Sequence, residues 1–224
     1  MKLVSQSMVF QPIVFHSSSK APAIVSYEAL WKPEHNTPAE AFRIQRQNGT
    51  LTWSDLSCMN SAWMHRPTLV GGAKLHLNVF PETLETAEFW DWIDRLPPNP
   101  PVVWELLELP WAANTLDRLK QLRTLGFTIA FDDIGQTSRT WQALRHFTPD
   151  IIKLDARVTK PTRRNEHALR SVMLYAKDRG VLLIAEAVET SEQASWLQEL
   201  GIYHFQGYLY ARPQEEPASL GALI

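Results

Sequence analysis

The sequence predicts a (β/α)8 barrel of the TIM type, an α/β fold in which eight strands form a closed sheet inside a ring of helices. Short segments rich in β-branched and apolar residues alternate with amphipathic segments along the 224 residues. Such alternation is typical of parallel strands joined by right-handed helical crossovers. About eight strand-like segments are present, whereas an open flavodoxin-like sheet would use about five. The number of segments therefore favours a closed barrel of parallel strands.

The individual elements follow from this alternation. The predicted strands are MVFQPIVF, AIVSYEALW, AKLHLNVF, PVVWELLEL, GFTIAFDDI, DIIKLDA, GVLLIAEAVE and YHFQGYLY. The predicted helices include TAEFWDWIDRL, NTLDRLKQLRTLG, SRTWQALRHF, EHALRSVMLYAKDRG and SEQASWLQELG. In the second of these, leucine recurs every third residue from Leu116 to Leu125, which is helical spacing. Gly126, Gly180 and Gly201 each stand where a helix should end and a strand begin.

Composition and charge exclude several classes of protein. The formal net charge is −2, so there is no basic field to capture long nucleic acid. The single cysteine, Cys58, excludes an internal disulfide framework and fits a reducing compartment. No apolar run resembles a signal peptide or a membrane span. We expect a soluble, cytoplasmic protein that forms a single domain over residues 1–224, with no attached sensor domain.

Polar side chains stand where the predicted strands end. They are Glu28, Asn78, Glu105, Glu108, Asp132, Asp133, Lys153, Asp155, Glu186, Glu189 and Gln206. One acidic residue alone could be a helix cap or a solvated loop charge. The C-terminal ends of barrel strands converge, however, and so many unpaired carboxylates would repel one another without divalent cations. The sequence therefore predicts a metal site suited to phosphodiester hydrolysis, in which Lys153 adds a fixed cation that orients the attacking water.

The residues two positions earlier in each strand should lie one layer deeper on the same face, because strand side chains alternate. They are Ser26, His76, Val103, Ala130, Ile151, Ile184 and His204. Most are small or apolar, as a barrel interior requires. His76 and His204 are predicted to be hydrogen-bonded interior groups and not metal ligands.

From Gln11 to Pro213 the sequence resembles the EAL domain, the cyclic di-GMP phosphodiesterase family. The motifs that carry the resemblance are QPI at Gln11, EAL at Glu28 to Leu30, NV at Asn78, E-x-x-E at Glu105 and Glu108, DD-x-G at Asp132, IKLD at Ile152, AE-x-VET at Ala185 and QGY at Gln206. Each tripeptide alone is weak, whereas their order and spacing together are highly specific.

The resemblance implies a role for each matched position. Glu28, Asn78, Glu105 and Asp132 would hold one metal ion, and Asp132 would bridge to a second ion near Asp133 and Glu186. Lys153 would position the attacking water, and the expected catalytic set is Lys153, Glu186, Asp133 and Glu108, the last by steadying the loop after the paired aspartates. Gln11, Glu28, Leu30, Lys32 and Gln206 would contact the substrate. The implied reaction is hydrolysis of cyclic di-GMP to linear pGpG with Mg²⁺ or Mn²⁺, and a homodimer is a common arrangement in such proteins.

Three departures from the family pattern leave a second interpretation open. Residues 134–140 read IGQTSRT where the family usually has FGTGYSS, Lys32 stands in place of Arg, and Ala187 stands in place of Gly. The first hypothesis is an active phosphodiesterase, because the full set of acidic, amide and lysine positions is present. The alternative is a weak or inactive EAL protein that acts as a cyclic di-GMP receptor or binds a protein partner. A barrel enzyme for a different phosphodiester is the third.

Overall fold

A computed structural model of the chain describes residues 3–66, 69, 72–106, 114–135 and 138–217. Eight strands form a closed barrel in the order β1-β2-β3-β4-β5-β6-β7-β8, so the predicted barrel is confirmed. The strands are β1 (Met8–Ser17), β2 (Lys20–Trp31), β3 (Lys74–Val79), β4 (Val102–Leu106), β5 (Thr128–Ile134), β6 (Ile151–Leu154), β7 (Leu182–Ala185) and β8 (His204–Phe205).

The first strand runs against the other seven. Strands β2 to β8 pair in parallel with their neighbours, whereas β1 is antiparallel to both β2 and β8. The prediction of parallel pairing throughout is therefore wrong for β1. Only Ser18 and Ser19 separate β1 from β2, and so short a connection forms a hairpin, because a parallel crossover needs about a dozen residues. This hairpin places Gln11 opposite Glu28.

Eight helices surround the barrel in the described part of the chain. They are α1 (Pro38–Gln47), α2 (Leu51–His65), α3 (Pro81–Leu84), α4 (Ala87–Ile93), α5 (Thr115–Thr124), α6 (Ser138–Ala143), α7 (Arg163–Arg179) and α8 (Ser191–Glu199). The five predicted helices correspond to α4 through α8, whereas α1, α2 and α3 are additional. In α2 the five consecutive residues 55–59 are all buried, so no single apolar stripe marks this helix in the sequence. None of these helices has the length and apolar character needed to cross a membrane.

Glycines end three of the helices, as the sequence predicts. Gly126, Gly180 and Gly201 have φ angles of 86°, 68° and 93°, in the left-handed region that glycine adopts without a steric penalty.

The interior of the barrel is closed by one apolar layer. Ile13, Val103, Ala130, Ile151 and Ile184 form a cluster of their own, each at most 6% exposed. Four of the five were predicted to lie one layer beneath the polar residues, and Ile13 of the reversed strand completes the layer. Because this layer fills the barrel, the two ends of the barrel are separate environments.

A buried carboxyl group joins α2 to the loop after β3. Asp55 is 2% exposed and its Oδ2 accepts a hydrogen bond from the backbone N–H of Phe80 at 3.1 Å. Burial raises the pKa of Asp55 from 3.8 to about 7, against the opposing effect of that hydrogen bond. The charged form is therefore disfavoured in the folded protein.

We expect Asp55→Asn to change the pH dependence of folding. Because the folded pKa lies above the unfolded one, the folded wild-type protein binds an extra proton between about pH 4 and pH 7, and its stability should fall as pH rises through that range. The variant with asparagine at this position has no carboxyl group to titrate, so its stability does not fall in this way. Its stability relative to wild type should therefore increase with pH up to about 7 and then level off. Urea unfolding over a pH series measures the difference. The same substitution at exposed Asp91 is the control, and parallel curves for wild type and the Asp55 variant would refute the argument.

Candidate functional site

Lys153 on β6 is surrounded by carboxylates at the C-terminal end of the barrel. Its Nζ donates hydrogen bonds to Glu28 Oε2 and Glu105 Oε2, both at 3.0 Å. The same Nζ lies 2.9 Å from Glu186 Oε1 and 3.5 Å from Asp132 Oδ1. These partners come from β2, β4, β5 and the segment after β7, so the folded barrel brings together residues up to 158 positions apart (Glu28 to Glu186).

The cluster is buried at its base and opens at its rim. The side chains of Lys153 and Glu105 are 1% and 0% exposed, whereas those of Asp132 and Glu186 keep 13% and 19% of their surface exposed. Solvent and small solutes can therefore reach the outer pair of carboxylates.

The pKa values of the four carboxylates shift in opposite directions: that of Glu28 is lowered, and those of Glu105, Asp132 and Glu186 are raised. Burial would raise the pKa of Glu28, but Lys153 and hydrogen bonds from Asn78 and Gln206 bring it down to about 2. Burial raises the pKa of Glu105 well above its usual value, and the charge of Glu28 adds to the effect. Burial and the charge of Asp132 act in the same way on Glu186. A second source of positive charge would let all four groups ionise.

Amide side chains complete the hydrogen bonding around Glu28. Asn78 Nδ2 donates to Glu28 Oε1 at 3.0 Å, and Gln206 Nε2 donates to Glu28 Oε2 at 2.7 Å. Gln206 Nε2 also lies 3.2 Å from Gln11 Oε1, and Gln11 Nε2 donates to the carbonyl of Ala211 at 3.1 Å. The predicted residues Gln11 and Gln206 are thus part of one network with the carboxylates.

Two groups of carboxylates are close enough to share a cation. Oxygens of Glu28, Glu105 and Asp132 lie within 4.8 Å of one another, as do oxygens of Asp132, Asp133 and Glu186. Asp132 belongs to both groups. Beside the first group, the Oδ1 atom of Asn78 is buried and has no hydrogen-bond partner in the described part of the chain. A buried amide oxygen without a partner next to three carboxylates fits a hard divalent cation.

His76 contacts Glu105 from the layer beneath it in the barrel. Its Nδ1 lies 2.6 Å from Glu105 Oε1, and its side chain is 2% exposed. Burial lowers the pKa of His76 to about 3, and the charge of Lys153 contributes, so the ring is neutral. The prediction of a hydrogen-bonded interior group is confirmed for His76. For His204 the observed contact is an edge-on one with the Phe15 ring at 5.3 Å.

The remaining predicted residues lie at different places. Asp133 has a positive φ of 56°, and its N–H donates to Asp132 Oδ1 at 2.9 Å. Leu30 follows Glu28 on the same face of β2 and is half-buried. Lys32 lies apart from the cluster, because it pairs with Glu215 at 2.7 Å on the exposed surface. Glu108 and two residues of the divergent loop, 136 and 137, lie outside the described residues.

Two positions that the sequence analysis did not assign hold the segment that carries Glu186. Val188 N–H donates to Gln206 O at 3.1 Å, and a Cβ atom on Gly207 would lie 2.1 Å from the Val188 carbonyl oxygen. Only glycine permits this approach, which explains the Gly of the QGY motif. Gln193 Nε2 donates to the carbonyls of Thr159 and Ala187 at 3.1 and 3.2 Å. Its polar side chain on the buried face of α8 was the available signal.

Ala187, the residue after Glu186, is strained. Its φ is 50°, in the left-handed region that costs a residue with a Cβ atom about 1–2 kcal/mol. The replacement of glycine noted in the sequence therefore has a backbone consequence next to the carboxylate cluster.

Fold and site together define a class: (β/α)8-barrel proteins that carry an acidic, amide and lysine cluster at the C-terminal end of the barrel. The family model described as "EAL domain" matches residues 5–213. This chain belongs to the EAL domain family.

Curated relatives of the chain are named as phosphodiesterases. It is 33% identical over 164 residues to the cyclic di-GMP phosphodiesterase RocR of Pseudomonas aeruginosa, a match that covers 70% of this chain and 40% of RocR. It is 28% identical over 239 residues to the probable cyclic di-GMP phosphodiesterase PdeN of Escherichia coli, covering 92% of this chain and 43% of PdeN. The chain therefore spans less than half the length of these relatives.

Solved structures share the fold. BlrP1 of Klebsiella pneumoniae in complex with calcium and cyclic di-GMP has a TM-score of 0.83 at 28% identity, over 96% of this chain and 58% of that one. Its manganese complex at pH 9.0 has a TM-score of 0.81 at 28% identity, over 96% and 57% of the two chains. An EAL domain protein from Listeria monocytogenes, at 22% identity and a TM-score of 0.81 over 94% and 89% of the chains, shows the same fold.

We expect Lys153→Met to destabilise the protein when no divalent cation is present. Removing the ammonium leaves four carboxylates without their shared partner, and loss of one member of a buried ionic cluster costs about 3 kcal/mol or more. Urea unfolding in the presence of EDTA measures the change. Lys120→Met is the matched control, because Lys120 forms an exposed pair with Asp117. Equal stability of wild type and the Lys153 variant would contradict the electrostatic account.

Substituting Ala187 by Gly should stabilise the protein by about 0.5–1 kcal/mol, because relief of left-handed strain exceeds the extra chain entropy of glycine. Thermal and urea unfolding of the variant provide the measurement. Ala168→Gly, within α7, is the control and should destabilise the protein by about 1 kcal/mol. A loss of stability at both positions would show that Ala187 is not strained.

Proposed function

We propose that this chain hydrolyses cyclic di-GMP to linear pGpG with two divalent cations, Mg²⁺ or Mn²⁺, bound at the C-terminal end of the barrel. The observation that carries the proposal is the pair of carboxylate groups that share Asp132 next to Lys153. Two divalent cations held close together are a recurrent arrangement for phosphodiester hydrolysis. The names of the curated relatives and the bound ligands of BlrP1 point to the same substrate and to divalent metal.

The donors fit such ions in type and number. Glu28, Asn78, Glu105 and Asp132 would hold one ion, and Asp132, Asp133 and Glu186 the other. All donors are carboxylate or amide oxygens, which suits Mg²⁺ and Mn²⁺ better than softer metals. When bound, such cations supply Lewis acidity at the phosphate and neutralise the charge that develops there.

Lys153 and Glu186 are the groups best placed to act on the attacking water. Lys153 Nζ sits between the two carboxylate groups and, as a fixed donor, can orient the water oxygen toward phosphorus. Glu186 lies at the open rim with a raised pKa, so it is suited to take up the proton of the water. The water oxygen forms the new P–O bond, and the bond from phosphorus to the 3′ oxygen breaks. That oxygen takes a proton from solvent while Glu186 holds the proton of the water and later releases it to solvent, which yields pGpG.

The substrate would lie across the rim of the barrel. Gln11 and Gln206 present amide groups beside Glu28, and Leu30 stands above Glu28 on the same strand face. Lys32 would need to leave Glu215 to meet a phosphate. Because that ion pair is exposed, with side chains 57% and 68% accessible, little energy opposes the exchange.

A second candidate is a receptor that binds cyclic di-GMP, or a protein partner, without turnover. Two observations favour it: Lys32 is engaged by Glu215, and strained Ala187 adjoins Glu186. The carboxylate cluster favours the enzyme, because four close carboxylates destabilise a protein that has no use for cations. A homodimer stays a prediction under either function.

The assay that separates the two candidates uses purified protein, cyclic di-GMP and Mn²⁺, with pGpG measured by chromatography. We expect turnover, and we expect Glu28→Gln to lower it by about a thousandfold or more, because a ligand of one ion is lost. Glu34→Gln, an exposed change on the segment after β2, is the matched control and should leave the rate unchanged.

Two outcomes would contradict the enzyme. Saturable binding of cyclic di-GMP without product at high Mn²⁺ would establish the receptor. Equal turnover by wild type and the Glu28 variant would mean that the chemistry occurs elsewhere.

A further inference from the structure

A second concave site lies at the opposite end of the barrel from the carboxylates. A cavity of about 350 Å³ opens there. Its lining includes Lys74, Ile151, Leu182 and His204, which are the first residues of β3, β6, β7 and β8. In parallel strands these positions mark the N-terminal face of the barrel. The volume is within the range of small-molecule sites.

The floor of the cavity is apolar, and its walls carry polar side chains. Ile13, Ile151 and Ile184 of the inner layer form the floor. Ser26 is 4% exposed and lines the cavity, yet its hydroxyl makes no hydrogen bond with any described residue. This hydroxyl can therefore donate to a molecule that occupies the cavity.

The imidazole groups at this site also have free hydrogen-bonding capacity. His76 lines the cavity and uses Nδ1 for Glu105, and Nε2 has no partner among residues that the structure describes. His204 lines the cavity, and its ring contacts the ring of Phe15. Three polar side chains from β2, β3 and β8 therefore converge on one space.

The positive charge of Lys74 in the lining favours an anionic ligand. Lys74 is the charged residue of the lining, and no carboxylate lines the cavity in the described ranges. Its ammonium donates to the neutral hydroxyl of Thr128 at 3.3 Å, a bond that an anion can replace. Ser26 and Lys74 are register partners across β2 and β3, so their side chains leave the sheet on the same face. Lys74 and Ser26 therefore both line the cavity with side chains that can donate hydrogen bonds, and its floor is apolar.

We propose that this cavity binds a small organic anion, whose charged group meets Lys74 and Ser26 and whose apolar body lies on the isoleucine floor. An occupant that also bonds His76 would share that ring with Glu105. A single hydrogen bond, between His76 and Glu105, therefore separates this cavity from the carboxylate cluster. Binding in the cavity does not depend on the proposed hydrolysis.

The test uses phenyl phosphate as the probe, titrated into the intact chain in EDTA so that no cation at the other end can bind it. Imidazole NMR resonances report the location. We expect saturable shifts of the His76 and His204 rings. Benzyl alcohol, which has a similar apolar body and no charge, should bind more weakly by about tenfold or more.

Charge reversal at the rim supplies the decisive variant. Lys74→Glu should weaken phenyl phosphate binding by about tenfold or more, because the anion then meets a like charge. Lys120→Glu makes the same change of charge on α5, away from the cavity, and should leave the affinity unchanged. Absence of saturable shifts at the two histidines, or equal weakening by both substitutions, would overturn the proposal. Because every arm is read without metal and without turnover, failure of the hydrolysis assay leaves this result unaffected.

Discussion

The site depends on one ammonium group, Lys153 Nζ, which lies among four carboxylates: three from β2, β4 and β5, and one from the segment that follows β7. Burial raises the pKa values of Glu105 and Glu186, and neighbouring carboxylates raise them further, because one positive charge cannot balance four negative ones. Lys153 and the amide donors around Glu28 lower the pKa of Glu28 to about 2, whereas the pKa values of the neighbouring carboxylates are raised. The same imbalance makes this end of the barrel a strong attractor for divalent cations, since each added charge lets another carboxylate ionise. The excess of carboxylates over positive charges therefore accounts both for the shifted pKa values and for the proposed binding of cations.

Much of this arrangement could be predicted from the sequence, because a geometric rule links strand ends in parallel sheets. The polar residues that end β2 to β7 converge once those strands run parallel, and their alternation places Val103 and Ile184 in the closing layer. The rule does not apply to β1, whose direction depends on a hairpin of two serines. Gln11 lies in the middle of its strand and still reaches the site, because antiparallel pairing sets it opposite Glu28. The segment of seven residues, 16–22, between the two predicted strands was too short for a helical crossover and could have revealed the reversal.

Other features required coordinates because they depend on contacts distant in sequence. The buried faces of α2 point in several directions, so the helix has no amphipathic signature. The alanine at position 187 was visible as a departure from the family pattern, but its cost depends on a backbone angle. The segment with that angle is contacted by Gln193 of α8 and by Gly207, which follows β8. The orientation of the Gln206 amide also could not be predicted from the sequence. Gln206 donates to both Glu28 and Gln11 because the end of β8 lies beside β1.

The apolar layer inside the barrel separates the carboxylate cluster at the C-terminal end from the cavity at the N-terminal end. Isoleucine and valine side chains fill the middle of the barrel and separate its two ends, so that substitutions at one end need not affect the other. His76 is the exception among the residues that the structure describes, because it lies at the level of that layer and bonds to Glu105 above it. A buried imidazole needs a partner, and the partner it has is a candidate metal ligand. His76 therefore helps to hold Glu105 in place, and a group that contacts the imidazole from the N-terminal cavity would be one hydrogen bond away from the carboxylate cluster.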